Sequence, residues 1–231
     1  MITSNPVFCA LDTSEIDKAK KLADVLHDRV AGYKLGLEFF LRHGWEGYRI
    51  IADFGLPIFL DLKLHDIPNT VAGAMQSLLP FQPQFITLHA AGGEAMMRAA
   101  AEAKKSAKSP PKLLAVTVLT SLDARDLTAV GQTPDPARQA LCLARLAKDS
   151  GMDGVICSPE EVKDLRAACG PDFILMVPGI RPSWAMTNDQ KRVTTPREAI
   201  DAGATYLVIG RPITGAENPG EAASRILAEL A

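Results

Sequence analysis

The feature that most constrains this chain is an alternation: eight short apolar runs, each followed by a stretch of helical periodicity. Strands are expected over Val7–Leu11, Gly32–Leu35, Ile58–Leu62, Phe85–Leu88, Leu113–Val118, Gly154–Cys157, Phe173–Val177 and Tyr206–Ile209. Helices are expected over Ser14–Leu26, Glu38–Ala52 in one or two pieces, about Pro68–Leu79, Glu94–Lys105, Pro136–Lys148, Pro159–Ala168, Pro196–Ala202 and Glu217–Leu230. In the first of these Ile16, Ala19, Ala23 and Leu26 share a face, and Ser14 is the expected cap. Parallel strands need long crossovers, usually helical, so a strand–helix alternation of this regularity selects a parallel α/β fold. Eight such units in 231 residues, with no linker-like break, predict a single-domain (β/α)8 barrel over residues 1–231. A doubly wound open sheet is the alternative.

Composition narrows the function classes. The 25 Lys and Arg against 27 Asp and Glu give a net charge of −2, which argues against a general nucleic-acid or anionic-membrane binder. The N-terminal stretch lacks a basic segment followed by a long apolar one, and no later run approaches the ~18 residues of a membrane span. Cys9, Cys142, Cys157 and Cys169 show no CxxC spacing and read as reduced, buried thiols of a cytoplasmic chain. His27, His43, His65 and His89 form no metal-binding pattern, so neither a metal nor a cofactor is expected.

Two connections are long, Leu119–Pro134 after the fifth strand and Pro178–Thr195 after the seventh, and both leave the barrel face on which sites are built. At that face the strand ends carry charge: Asp12, Lys34, Asp61, Lys63 and Asp66. Alternation along a strand puts Asp61 and Lys63 on one side, and Lys34, Asp61, Lys63 and Asp66 can form an alternating network. Taken singly, each is open to a plainer reading as a salt bridge, or for Asp66 as a helix cap before Ile67-Pro68. Opposite them, Pro178-Gly179-Ile180-Arg181 and Gly210-Arg211 close strands seven and eight, where barrels commonly bind phosphate through backbone N–H groups and guanidinium forks. The long loop between them contains Gln190.

The run Asp61-Leu62-Lys63-Leu64-His65-Asp66-Ile67-Pro68-Asn69-Thr70 resembles the D-x-K-x-x-D-I-P-N-T signature of the orotidine 5′-phosphate decarboxylase family. The likeness extends through Leu11-Asp12, Gly32-Tyr33-Lys34-Leu35-Gly36, Val116–Ser121, Val177–Arg181, Asp189-Gln190-Lys191-Arg192 and Val208–Thr214. The resemblance implies decarboxylation of orotidine 5′-monophosphate to uridine 5′-monophosphate, the last step of pyrimidine nucleotide synthesis, without metal or cofactor. It implies that Lys63 is the proton donor and that Lys34, Asp61 and Asp66 complete its charged network. It further implies a homodimer in which Asp66, Ile67 and Thr70 reach the neighbouring subunit's site. Asp12 and Lys34 would hold the ribose, Thr120 and Ser121 would lie by the pyrimidine, and Arg181, Gln190, Gly210 and Arg211 would engage the phosphate. No role falls to His65 or His89.

Loss of CO2 leaves an electron pair in an sp2 orbital at C6, outside the π system, so stabilisation must be electrostatic, which suits an ammonium held close to C6. Two other readings stand beside this one. Magnesium-dependent sugar-phosphate decarboxylases and synthases resemble the family in their barrel and D-x-K-x-x-D run but look different at the second strand, where a Glu replaces Lys34. A non-catalytic phosphate-ligand barrel would need Arg181 and Arg211 but not Lys63.

Overall fold

The computed structural model describes residues 5–185 and 194–231. Eight parallel strands close into a barrel in sequence order: β1 (Val7–Ala10), β2 (Gly32–Gly36), β3 (Ile58–Leu64), β4 (Phe85–His89), β5 (Lys112–Val116), β6 (Gly154–Ile156), β7 (Ile174–Val177) and β8 (Tyr206–Ile209). The closing ladder pairs Val7 with Leu207 and Cys9 with Ile209. The helices are α1 (Ile16–Leu26), α2 (Leu37–Ala52), α3 (Pro68–Leu78), α4 (Gly93–Ala103), α5 (Ala124–Ala129), α6 (Pro136–Asp149), α7 (Val162–Cys169), α8 (Pro196–Asp201), α9 (Arg211–Thr214) and α10 (Pro219–Leu230). The fold is therefore the (β/α)8 barrel expected, and the open sheet is excluded by closure.

Strand alternation sorts the apolar side chains into two cores. Val7, Cys9, Leu35, Leu60 and Ile86 point outward and pack beneath the helices. Phe8, Phe59, Phe85, Leu114, Met176 and Val208 fill the barrel interior, with Phe8 set edge-on to Phe59, Phe85 and Tyr206 at centroid distances of 6.3, 5.4 and 5.6 Å. Two residues further along β1, β3 and β4 the inward positions become Ala10, Asp61 and Thr87, with Lys34 of β2 beside them. The barrel thus changes from an aromatic layer to a polar one within a single repeat of the pleat.

Several boundaries differ from the sequence expectation, each for a local reason. Helix α1 starts at Ile16 with Glu15 at its cap position, and Thr13, not Ser14, meets the helix start by accepting the Glu15 N–H at 3.2 Å. Strand β3 runs on to Leu64 through an irregularity described below. The 119–134 connection holds helix α5, nucleated by a capping box in which Asp123 accepts the Arg125 and Asp126 N–H groups and Asp126 accepts that of Asp123. Helix α2 is kinked at Gly44, where φ is 54°. Cys9, Cys157 and Cys169 are buried, but Cys142 lies on the outer face of α6 and is exposed, contrary to the expectation that all four would be covered. Among the described residues no helix is long and apolar enough to cross a membrane.

Candidate active site

At the C-terminal ends of the strands the barrel opens into a cavity of about 1070 Å3. Its floor is the polar layer and its wall includes Asp12, Lys34, Asp61, Lys63, Thr120, Arg181, Gly210 and Arg211, drawn from strands or loops all round the barrel. Residues from the first strand to the last are thereby brought to one space.

The charged part is built on β1, β2 and β3. Lys34 and Asp61 are buried, each only 8% exposed, which is rare for charged side chains without close partners. Lys34 Nζ donates to Asp12 Oδ1 at 2.8 Å and lies 3.7 Å from Asp61 Oδ2. Lys63 Nζ is 2.8 Å from both Asp61 oxygens. The order Asp12, Lys34, Asp61, Lys63 is an unbroken alternation of sign. Gly36 follows Lys34 on the same side of β2, and a Cβ there would stand 3.0 Å from both Lys34 Nζ and Asp12 Oδ1, so a side chain would crowd the pair.

Asp61 and Lys63 do meet, though not by the flat alternation the sequence suggests. Lys63 has φ 51°, a left-handed conformation that costs a side-chain-bearing residue about 1 kcal/mol. Between Leu60↔Ile86 and Leu64↔Leu88 the β3–β4 ladder loses register, with more residues on β3 than on β4. Thr87 fills the gap. Its hydroxyl accepts the Lys63 N–H at 2.9 Å and donates to Asp61 Oδ1 at 2.9 Å, and the side chain is wholly buried. Sequence reading passes over Thr87; the signal was its parity with Phe85, a lone hydroxyl at an inward position of an apolar strand.

Asp66 does not join the network within this chain, contrary to the expectation of a four-membered alternation. It lies on an exposed turn, where its Oδ1 accepts the neighbouring Ile67 N–H at 2.7 Å, and among the described residues it makes no ion pair with Lys34 or Lys63. Nor is it the cap residue of α3, a place taken by Ile67 with no side-chain capping bond. Ile67, 67% exposed, and Thr70 are likewise outside the cavity wall. The reason is geometric: after Leu64 the chain turns away from its own barrel mouth.

On the opposite wall Gly179 adopts φ 79°, which turns the chain after β7 so that Arg181 faces the cavity. The Arg181 N–H donates to the Thr194 carbonyl at 3.2 Å, pinning the two ends of the long loop. Gln190 lies outside the described residues. Ser183 donates to Glu229 at 3.2 Å and the Arg225 guanidinium sits 4.3 Å from the Trp184 ring centroid, tying the loop stem to α10. Ser121 is exposed and is not part of the wall.

Titration follows the same geography. Burial, then the neighbouring His65 and Lys63, hold His89 below its ordinary range, and the two imidazoles lie 5.3 Å apart beside Lys63. Burial first, and then Asp12, push the Cys9 thiol up to about 12, so it remains protonated behind the charged cluster.

Comparison with known proteins agrees with this arrangement. The family model "Orotidine 5′-phosphate decarboxylase / HUMPS family" matches residues 5–226. The chain is 53% identical to the orotidine 5′-phosphate decarboxylase of Rhodospirillum rubrum, over 99% of this chain and 95% of that protein. It is 52% identical to the one from Paramagnetospirillum magneticum, with 98% of each covered. The crystal structure of orotidine 5′-phosphate decarboxylase from Lactobacillus acidophilus superposes with a TM-score of 0.85 at 40% identity, covering 97% of this chain and 98% of that one. A match of this extent leaves no part of the barrel outside the likeness, and the chain belongs to the orotidine 5′-phosphate decarboxylase/HUMPS family.

Proposed function

We propose that this chain decarboxylates orotidine 5′-monophosphate to uridine 5′-monophosphate and CO2, with Lys63 as the group that both stabilises the C6 anion and protonates it. The observation that carries the reading is the Lys63 ammonium held 2.8 Å from both oxygens of Asp61 on the cavity wall, with Arg181 and Arg211 across the same space. The bond from C6 to the carboxylate carbon breaks, CO2 departs, and its electron pair stays on C6. The Lys63 Nζ–H proton then moves to C6, and the amine regains a proton from solvent. Because Asp61 already orients the ammonium, the charge needs no reorganisation when the anion forms, which is the condition for large electrostatic catalysis.

Asp12 and Lys34 hold the ribose hydroxyls in this scheme, Thr120 lies against the pyrimidine, and Arg181, Gln190, Gly210 and Arg211 grip the phosphate. Phosphate binding energy, gained far from the breaking bond, is available to align the base over Lys63. Asp66, Ile67 and Thr70 serve the site of a second subunit in a homodimer; their exposure around an apolar Ile67 side chain supports that assignment. Two ammonium groups within 4 Å of Asp61 would oppose a divalent cation at the same carboxylate, which weighs against the magnesium-dependent reading. A cytoplasmic location suits three buried free thiols.

The test is direct. Purified protein added to orotidine 5′-monophosphate in EDTA is expected to remove the orotate absorbance and yield uridine 5′-monophosphate in equal amount. No spectral change, or a change that requires added Mg2+, would refute the proposal.

A further inference from the structure

The β3–β4 seam carries an inference about how the reactive pair is held, and it rests on the decarboxylase reading above. We infer that Thr87 is a positioning residue for this reaction, fixing Lys63 and Asp61 relative to each other through one hydroxyl.

Thr87 is the single residue on β4 that faces the irregular part of β3, and it is wholly buried. A continuous parallel ladder would satisfy the Lys63 N–H with a backbone carbonyl, but the loss of register removes that partner. The Thr87 hydroxyl accepts it at 2.9 Å instead. Having accepted there, the hydroxyl has one proton to give, and gives it to Asp61 Oδ1 at 2.9 Å. The two bonds are therefore coupled. One fixes the backbone of a lysine held at φ 51°, and the other fixes the rotation of the carboxylate that receives its ammonium. A valine at this position would fill the same volume and leave the Lys63 N–H and Asp61 Oδ1 each short of a partner. Lys63 would then be free to relax toward ordinary strand geometry, carrying Nζ away from its place. A shift of that kind moves the reacting atoms without touching the phosphate or ribose contacts.

This gives Thr87 a kinetic signature. Thr87→Val is expected to lower kcat about 10- to 100-fold, the usual penalty for misplacing a reacting group by a fraction of an ångström to an ångström. KM should change by less than about threefold, because binding contacts remain. Thr87→Ser keeps the hydroxyl and should stay within about threefold of wild type, although it leaves a small void in the core. In an Asp61→Ala background, which removes the acceptor of the Thr87 hydroxyl, Thr87→Val should cost several-fold less in kcat than it does in wild type, since one of its two bonds is already lost.

If Thr87→Val keeps kcat within about threefold of wild type, or if its cost is undiminished beside Asp61→Ala, the inference is overturned. A rise in KM that accounts for the whole loss would also overturn it, by marking a general loosening of the site. Should Thr87→Val fail to fold, Thr87→Cys replaces it: a weak S–H donor of similar size is expected to lose at least about fivefold in kcat, and wild-type turnover would refute the role. Absence of turnover in wild type removes the decarboxylase reading and this role together, whereas normal wild-type turnover with an unaffected Thr87→Val removes this role alone.

Discussion

The two ends of the barrel carry similar residues and use them differently. At the N-terminal end, Asp153 accepts the Leu113 N–H at 2.8 Å and pairs with Lys104 and Lys112, while the Arg166 guanidinium donates to the carbonyls of Gly170, Pro171, Phe173 and Gly203 and to Thr205 Oγ1. Burial pushes the Asp153 carboxyl up, but the Lys104, Leu113 and Lys112 bonds outweigh it and hold the group below its ordinary range. Here charge is spent on backbone groups at the strand starts and on the two lysines beside Asp153. At the C-terminal end Asp12, Lys34, Asp61 and Lys63 are spent on one another, on the wall of a cavity, beside a left-handed lysine. The difference teaches where function lies: charges that tie backbone and neighbours together away from the cavity serve the fold, whereas charges gathered around strained backbone and open space serve chemistry.

The comparison can be broken first at the subunit boundary. If the proposed homodimer shares its sites, Lys63→Ala and Asp66→Ala proteins, each inactive alone, should recover about a quarter of wild-type activity once mixed and exchanged, since half the dimers would be mixed and each would have one intact site. Subunit exchange without any returned activity would show that Asp66 serves no partner site.

The next largest effect is expected at the wall proposed to bind the phosphate. Arg211→Ala should lose roughly 2–5 kcal/mol of transition-state binding, about 30-fold to several thousand-fold in kcat/KM. Added guanidinium should restore part of it, and turnover of a phosphate-free substrate should hardly change. Equal damage on whole and truncated substrates would move the phosphate elsewhere.

At the opposite end Arg166→Ala should behave in the contrary way. Stranding several part-buried carbonyls is expected to cost about 3 kcal/mol, or a Tm lower by about 6–12 °C, while kcat of the folded protein stays within about twofold. An active-site defect larger than the stability defect would erase the distinction between the two ends.

The smallest effect concerns pH. Burial raises the Glu161 carboxyl to about 7, against a partial offset from the Ser158 N–H. A folded-state pKa above the unfolded one means the native state binds the extra proton, so this contribution is full below about pH 4.5 and is lost as pH rises to about 7. Glu161→Gln keeps the acceptor for Ser158 and should be more stable than wild type above pH 7 by about 2 kcal/mol, with the advantage vanishing below pH 4.5. Melting curves at both pH values check the sign.

Much of this was legible in the sequence, and the exceptions have physical causes. Eight strand–helix repeats specify barrel closure because each apolar run needs a parallel neighbour and a helix to cover it, as Leu35, Leu60 and Ile86 show. Lys34, Asp61, Lys63, Arg181 and Arg211 were placed at one mouth by strand order alone. The left-handed Lys63 was not legible, because register loss depends on how β4 fits β3 and leaves no local composition signal. Thr87 was hidden for the same reason, its role existing only where the ladder breaks. The α5 helix was missed inside a long connection although Asp123 and Asp126 supply its capping box, a pattern too short to stand out without its bonds. Alternation of charge alone groups Asp66 with Lys34, Asp61 and Lys63, because sequence proximity to Lys63 hides the exposed turn on which it lies; the family resemblance instead implies a place in a neighbouring subunit's site.

The most direct test is turnover of Lys63→Ala on orotidine 5′-monophosphate in EDTA, with Tm recorded in the same buffer. If Lys63 supplies both charge and proton as proposed, its loss should lower kcat by about four orders of magnitude or more, with Tm within a few degrees of wild type. Turnover within tenfold of wild type, or a fall in Tm as large as that of Arg166→Ala, would contradict the assignment of these charges to chemistry.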